Sequence, residues 1–231
     1  MKELKDSHIS DSIIPLTACG DNYMYLIVQN RDVVVIDPSQ AEPIIAFCRE
    51  HNYSIKAVFN THDHFDHVGG NHLLKRQTGC SVMASPEGHI PDLDSPVHDG
   101  QEIPFGSFLF RVIATPGHTA SGLSFLMHDE HSGHKALFTG DTLFSGGCGR
   151  IFGDAAERMW DSLQKLARLS DDTLIYPGHE YTVENYEFAH SLFPEDRNIA
   201  EYLQALKDMK ANGDLLIPST IRTEKKYNIF F

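Results

Sequence analysis

Four side chains able to bind a metal ion fall within six positions of one stretch, THDHFDHVGG: His62, His64, Asp66 and His67. Neutral imidazoles and ionised carboxylates are the donors that zinc, iron and manganese take from proteins. Buried without a metal, so many ring nitrogens would lack partners, at a cost in free energy. A short turn cannot easily wrap all four around one tetrahedral centre. The natural arrangement sends His62 and His64 one way and Asp66 and His67 another, towards two ions. Further single donors stand in polar, glycine-flanked strings downstream: His118 in TPGHT, Asp141 in GDT and His179 in PGHE. Seven candidates suit two divalent ions per chain if one carboxylate bridges, and Asp141 is the natural bridge because a carboxylate offers two oxygens. The expected sets are His62, His64 and His118 for one ion, and Asp66, His67 and His179 for the other. Two ions about 3.5–4 Å apart acidify a water held between them, so hydroxide is available near neutral pH. Zinc is the first expectation, with iron or manganese admitted by the same donors. Of the 14 histidines, His8, His51, His72, His128, His131 and His190 are assigned to surface or structural roles.

The elements around these residues place them at strand tips. Residues 24–29 and 32–36 are expected as strands, and the β-branched run 33–36 suits a strand buried on both faces. A helix is expected over 41–51 and a strand over 55–60, with the histidine cluster at its C-terminal end, where sites collect in open α/β sheets. A helix over 68–77, a strand over 80–84, a loop over 85–101 and strands over 108–113, 123–127 and 135–139 follow. Beyond Gly153 the apolar spacing turns helical over 157–169. A last strand is expected over 173–176 and helices over 185–193 and 198–212, with the final residues as an extended, basic tail. The fold class is α/β, divided into a metal-binding catalytic domain over residues 1–176 and a helical substrate-binding domain over 177–231.

Composition narrows the partners. A chain of 231 residues with a formal charge of −13 lacks the basic footprint of a nucleic-acid binder. A small anion stays possible if the sparse cations gather at one site. No run approaches the ~18 apolar residues of a membrane span, and the polar N-terminal stretch does not resemble a leader. A soluble, cytoplasmic monomer is expected. The four cysteines lack CxxC spacing, so free thiols are expected, three in or near the core, with Cys148 set apart in a glycine-rich loop.

Taken together, THDHFDHVGG, TPGHTASG, GDTLFSGGCGR and YPGHEYTVEN resemble, in order, the motifs of the metallo-β-lactamase superfamily. The last two are similar to those of its glyoxalase II (hydroxyacylglutathione hydrolase) branch, from about residue 22 to the end of the chain. The resemblance implies a four-layer αββα sandwich with a C-terminal helical domain and the same two ligand sets. It also implies hydrolysis of a small-molecule glutathione thioester, S-D-lactoylglutathione or a similar 2-hydroxyacyl compound, in methylglyoxal detoxification. Asp66 and Asp141 would then serve catalysis as well as metal binding. By motif position, Arg150, Arg222 and Lys225 would hold the glutathione carboxylates, and Tyr181 and Asn185 would line the same site. Three departures stand out: an extra small residue in TPGHTASG, FGDAAERMW in place of an FEG-type turn, and a short tail. None touches an expected metal ligand. The alternative is a mononuclear iron persulfide dioxygenase on the same fold, which would act on glutathione persulfide. A β-lactamase usually carries a cysteine where this chain has Asp141. A covalent role for Cys148 lacks an activating base.

Overall fold

Alternation along residues 33–36 explains the layering. In the computed structural model, which describes residues 9–231, Val34 and Ile36 point into one buried layer and Val33 and Val35 into another. His8 and the first half of the polar N-terminal stretch lie outside the described residues. The strand bearing these valines is central in a sheet of β1 (Ile13–Ala18), β2 (Asn22–Gln29), β3 (Asp32–Ile36), β4 (Ser54–Phe59), β5 (Ser81–Ala84) and β6 (Ser95–Pro96), hydrogen-bonded in that order. The first three strands are antiparallel and β3 to β6 run parallel. The parallel crossovers bring in α1 (Ala41–Glu50), α2 (Phe65–Val68) and α3 (Asn71–Thr78). Ile44 of α1 and Leu74 of α3 cover the outer valines.

The second sheet holds β7 (Glu102–Phe105), β8 (Phe108–Ala114), β9 (Leu123–Asp129) and β10 (Lys135–Gly140), all antiparallel neighbours. A two-strand ribbon, β11 (Leu143–Phe144) and β12 (Gly147–Cys148), follows. Helix α4 (Ala156–Ala167) then crosses to β13 (Leu174–Pro177), which lies parallel to β10. Its Met159, Leu163 and Leu166, at i, i+4 and i+7, pack on Leu126, Leu137 and Ile175 of the sheet. Between the two sheets Tyr25, Phe59, Phe110, Phe125, Phe138 and Tyr176 form an aromatic core, with Phe59 and Phe110 edge to face at 5.2 Å. The layers are therefore helix, sheet, sheet, helix. Beyond them α5 (Thr182–Leu192) and α6 (Arg197–Asn212) close a smaller core of Val183, Tyr186, Leu203, Leu206 and Leu216. The chain returns as β14 (Ser219–Thr220), which pairs with β13, and α7 (Ile221–Tyr227).

Several boundaries differ from expectation. The helix expected over 68–77 is two pieces, because the chain at Gly69 and Gly70 presses on the backbone of Ser39 and Pro38; a Cβ at either would lie 2.7 Å from a carbonyl oxygen. The final residues are not an extended tail but β14 and α7. Strands β1 and β7, each interrupted by a proline, carry too weak an alternation to be read in advance. All four cysteines are free thiols, but Cys19 is exposed in the β1–β2 turn instead of lying in or near the core, while Cys48 and Cys80 are buried. Among the described residues no helix is long and apolar enough to cross a membrane.

Candidate metal centre

Four strands end at the same edge of the sandwich. The chain leaving β4 carries His62 and His64, and α2 adds Asp66 and His67. The turn after β8 carries His118, β10 runs into Asp141, and β13 runs into His179. Their donor atoms converge. His64 Nδ1 lies 3.1 Å from His62 Nε2 and 3.0 Å from His118 Nε2. On the other side His67 Nε2 lies 3.3 Å from His179 Nε2 and 3.6 Å from Asp66 Oδ2. Asp141 stands between the groups, its Oδ1 at 3.3 Å from His67 Nε2 and its Oδ2 at 3.4 Å from both His118 Nε2 and His179 Nε2. Tetrahedral coordination at about 2.0–2.1 Å separates neighbouring donors by about 3.3–3.4 Å, which is the spacing seen here. Asp141 Oδ1 is also buried with no hydrogen-bond partner, an orphan that a cation would satisfy. The residues fit divalent metal ions.

The outward-facing ring nitrogens are held by other groups. His67 Nδ1 lies 3.0 Å from the buried Asp37 carboxylate, His179 Nδ1 3.0 Å from Asp21, and His118 Nδ1 2.8 Å from the carbonyl of Arg150. A ring that donates outward presents its lone pair inward, which is how histidine ligands are fixed. Asp37 also accepts from the Thr61 backbone N–H at 2.8 Å and hydroxyl at 2.6 Å. Asn22 donates to Asp66 Oδ2 at 3.0 Å. Sequence reasoning does not single out Asp37, Asp21, Thr61 or Asn22. Asp37 ends a β-branched strand much as Asp141 ends β10, and that shared position is the one available signal.

The electrostatics agree with a cation site. Burial, reinforced by neighbouring imidazoles, pushes the His62 pKa well down. Burial also opposes charge on His67 and His179, yet adjacent carboxylates outweigh it and raise both to about 10 with protons as the only counter-charges. For His67 those carboxylates are Asp37 and Asp141; for His179 they are chiefly Asp141 and Asp66. Asp66, hydrogen-bonded to His179 and Asn22, is held well below the usual carboxylate range. Close packing keeps β13 tight against the cluster: a Cβ on Gly178 would lie 2.5 Å from Asp141 Oδ1 and 2.8 Å from His67 Cε1.

A cleft of ≈ 990 Å³ opens over the cluster. His64, Asp66, His118, Asp141 and His179 line it together with Arg150, Tyr181 and Asn185, and Phe144, Phe152 and Phe188 supply apolar walls. Tyr181 stacks on the His179 ring at 4.9 Å and 5°. Cys148 also borders the cleft, but burial pushes its thiol up to about 11, so it offers little thiolate. Arg222 and Lys225 are not among the residues lining the cleft. Helix α7 begins beside the turn before β13, where the Arg222 N–H donates to the Asp171 carbonyl and the Lys225 ammonium lies 2.7 Å from the Asp171 carboxylate. Lys225 is thus directed to Asp171, which Arg222 meets through its backbone N–H.

Comparison with known proteins adds two family matches that together span most of the chain. Residues 17–179 match the metallo-beta-lactamase superfamily and residues 180–231 match the hydroxyacylglutathione hydrolase C-terminus. The hydroxyacylglutathione hydrolase of Photorhabdus laumondii is 40% identical over 94% of this chain and 85% of its own. That of Aliivibrio salmonicida is 40% identical over 93% of this chain and 84% of its own. Among solved structures, ETHE1 from Myxococcus xanthus superimposes with a TM-score of 0.70 at 29% identity, covering 94% of this chain and 83% of its own.

Proposed function

The chain belongs to the hydroxyacylglutathione hydrolases of the metallo-β-lactamase superfamily, and from that premise we propose that it hydrolyses S-2-hydroxyacylglutathiones, S-D-lactoylglutathione first among them, with two divalent ions. Zinc is the proposed metal, since the nitrogen and oxygen donors suit it, and methylglyoxal detoxification is the proposed setting. The observation that carries the reading is one cleft lined both by members of the His/Asp cluster and by Arg150, Tyr181 and Asn185. His62, His64 and His118 would hold one ion and Asp66, His67 and His179 the other, with Asp141 shared. Ions held there supply Lewis acidity, acidifying water and polarising a carbonyl oxygen.

The chain's own residues do the rest. Arg150 is the lining cation, and its guanidinium suits one of the two carboxylates of the tripeptide through a paired hydrogen bond. Tyr181 and Asn185 flank the same stretch of the cleft, so peptide binding there would hold the thioester carbonyl over the cluster. Phe144, Phe152 and Phe188 supply apolar walls to the same cleft. Asp66, ionised throughout the working range, is too weak a base to remove a proton outright. As well as holding metal, its carboxylate would instead accept a hydrogen bond from the attacking water and orient it. A thiolate leaves readily, so the sulfur needs no strong proton donor.

The persulfide dioxygenase alternative shares the cluster but not the support from residues 180–231, which match the hydrolase C-terminus. Hydrolysis of S-D-lactoylglutathione under argon separates the two. We expect full turnover without oxygen; turnover of glutathione persulfide that consumes oxygen, with no thioester hydrolysis, contradicts the proposal.

A further inference from the structure

The motif whose Lys225 turns to Asp171 carries an acid, Glu224, between its two cations, and that acid bonds to the ribbon beside the cleft. Glu224 is fully buried. Its carboxylate accepts from the Gly146 backbone N–H at 2.8 Å, from the Asn228 amide at 2.9 Å, and from the Ser219 hydroxyl. Among the described residues no lysine or arginine pairs with it, since Lys225 is held by Asp171. Burial raises its pKa. An acid enclosed among neutral donors is costly to keep, and its partners indicate what it does.

Two of the three lead to the ribbon. Gly146 is its turn, and Asn228 also donates to the carbonyls of Phe144 at 3.3 Å and Gly147 at 3.0 Å. From the opposite side Asn185 donates to the Ser145 carbonyl at 3.0 Å. The Tyr186 ring lies so close that a Cβ on Gly146 would meet it at 2.6 Å. Phe144 and Cys148 of this gripped ribbon, and Arg150 two residues beyond, line the cleft, and the Arg150 carbonyl holds His118.

We infer that Glu224 is a positioning residue: through Gly146 and Asn228 it fixes the ribbon that presents Phe144, Cys148 and Arg150 to the peptide half of the substrate. The inference rests on the proposed glutathione thioester hydrolysis. The test compares S-D-lactoylglutathione with S-lactoyl-N-acetylcysteamine, which carries the same acyl group without the peptide, on metal-loaded protein. Glu224→Ala is expected to raise KM for the glutathione thioester about tenfold, with kcat changed by less than about threefold. It should leave kcat/KM for the short thioester and the metal content unchanged. Glu224→Gln, whose amide oxygen still accepts from Gly146, should restore the KM. Equal losses on both thioesters, loss of metal, no shift at all, or a glutamine variant as impaired as the alanine one overturns the inference. Should Glu224→Ala fail to fold, Asn228→Ala decides, with the same selective KM rise expected and an unchanged KM overturning it. Wild-type protein inactive on the glutathione thioester overturns the proposed function as well. An active wild type with unshifted variants overturns only the role of Glu224.

Discussion

Asp37 ends its strand at a positive φ of 50° and stands outside the cleft, yet its carboxylate fixes both Thr61 and the His67 ring. The isosteric substitution Asp37→Asn keeps the shape and removes the charge, so metal affinity is expected to fall by about 10–100-fold in a chelator competition titration. Asp141→Ala should go further and remove most of the metal with nearly all activity; full two-ion occupancy in that variant would end its bridging role. Protons compete at the same atoms. In metal-free protein His67 and His179 are raised to about 10, and a cation must displace those protons. Apparent metal affinity should therefore climb as pH rises towards about 10 and level off above it, with proton release measurable by titration calorimetry in two buffers. Folding of the metal-free protein carries the same sign: groups raised above the ordinary histidine value of about 6.5 stabilise fully below it, and that contribution is lost as pH rises through about 10. At this scale the clustered ligands are legible because four donors crowded into one turn suit a cation and little else. Asp37 and Asp21 are not, since a lone acid before a proline or in a turn looks like ordinary turn chemistry.

Strands whose apolar runs are continuous, such as β3 and β10, can be read from sequence to within a residue. Those broken by Pro15 or Pro104 cannot. Helix α7 escapes a sequence reading because its seven residues bury only Ile221 and Glu224, which gives no apolar period to detect. The site depends on such element ends meeting closely. Gly178→Ala would push β13 off Asp141 and His67, and we expect loss of metal while far-ultraviolet circular dichroism stays native. An element end remote from the site should behave otherwise. Asp196 caps α6, accepting from the N–H groups of Asn198 at 2.8 Å and Ile199 at 3.3 Å. Asp196→Ala should cost about 1 kcal/mol in denaturant unfolding with metal content unchanged.

Over the whole molecule, two sheets and their covering helices bring donors from distant parts of the chain to one edge, and α5 adds Asn185 and Phe188 to the cleft beside it. The α/β class and the order of strand tips are readable in advance from local patterning, and the layered sandwich from the family resemblance of the motifs. The pairing of Lys225 with Asp171 is not, because motif position says nothing of which way a short helix faces. With a formal charge of −13 over the chain, Arg150 is the cation on which anion binding in the cleft should depend. Arg150→Ala is expected to raise KM for a glutathione thioester about tenfold or more with a smaller effect on kcat, by steady-state kinetics. The most direct test of the account is a zinc titration of metal-stripped protein, following S-D-lactoylglutathione hydrolysis under argon. Activity should rise from near zero to a plateau at two equivalents per chain; a plateau at one equivalent, or no hydrolysis until oxygen is admitted, contradicts it.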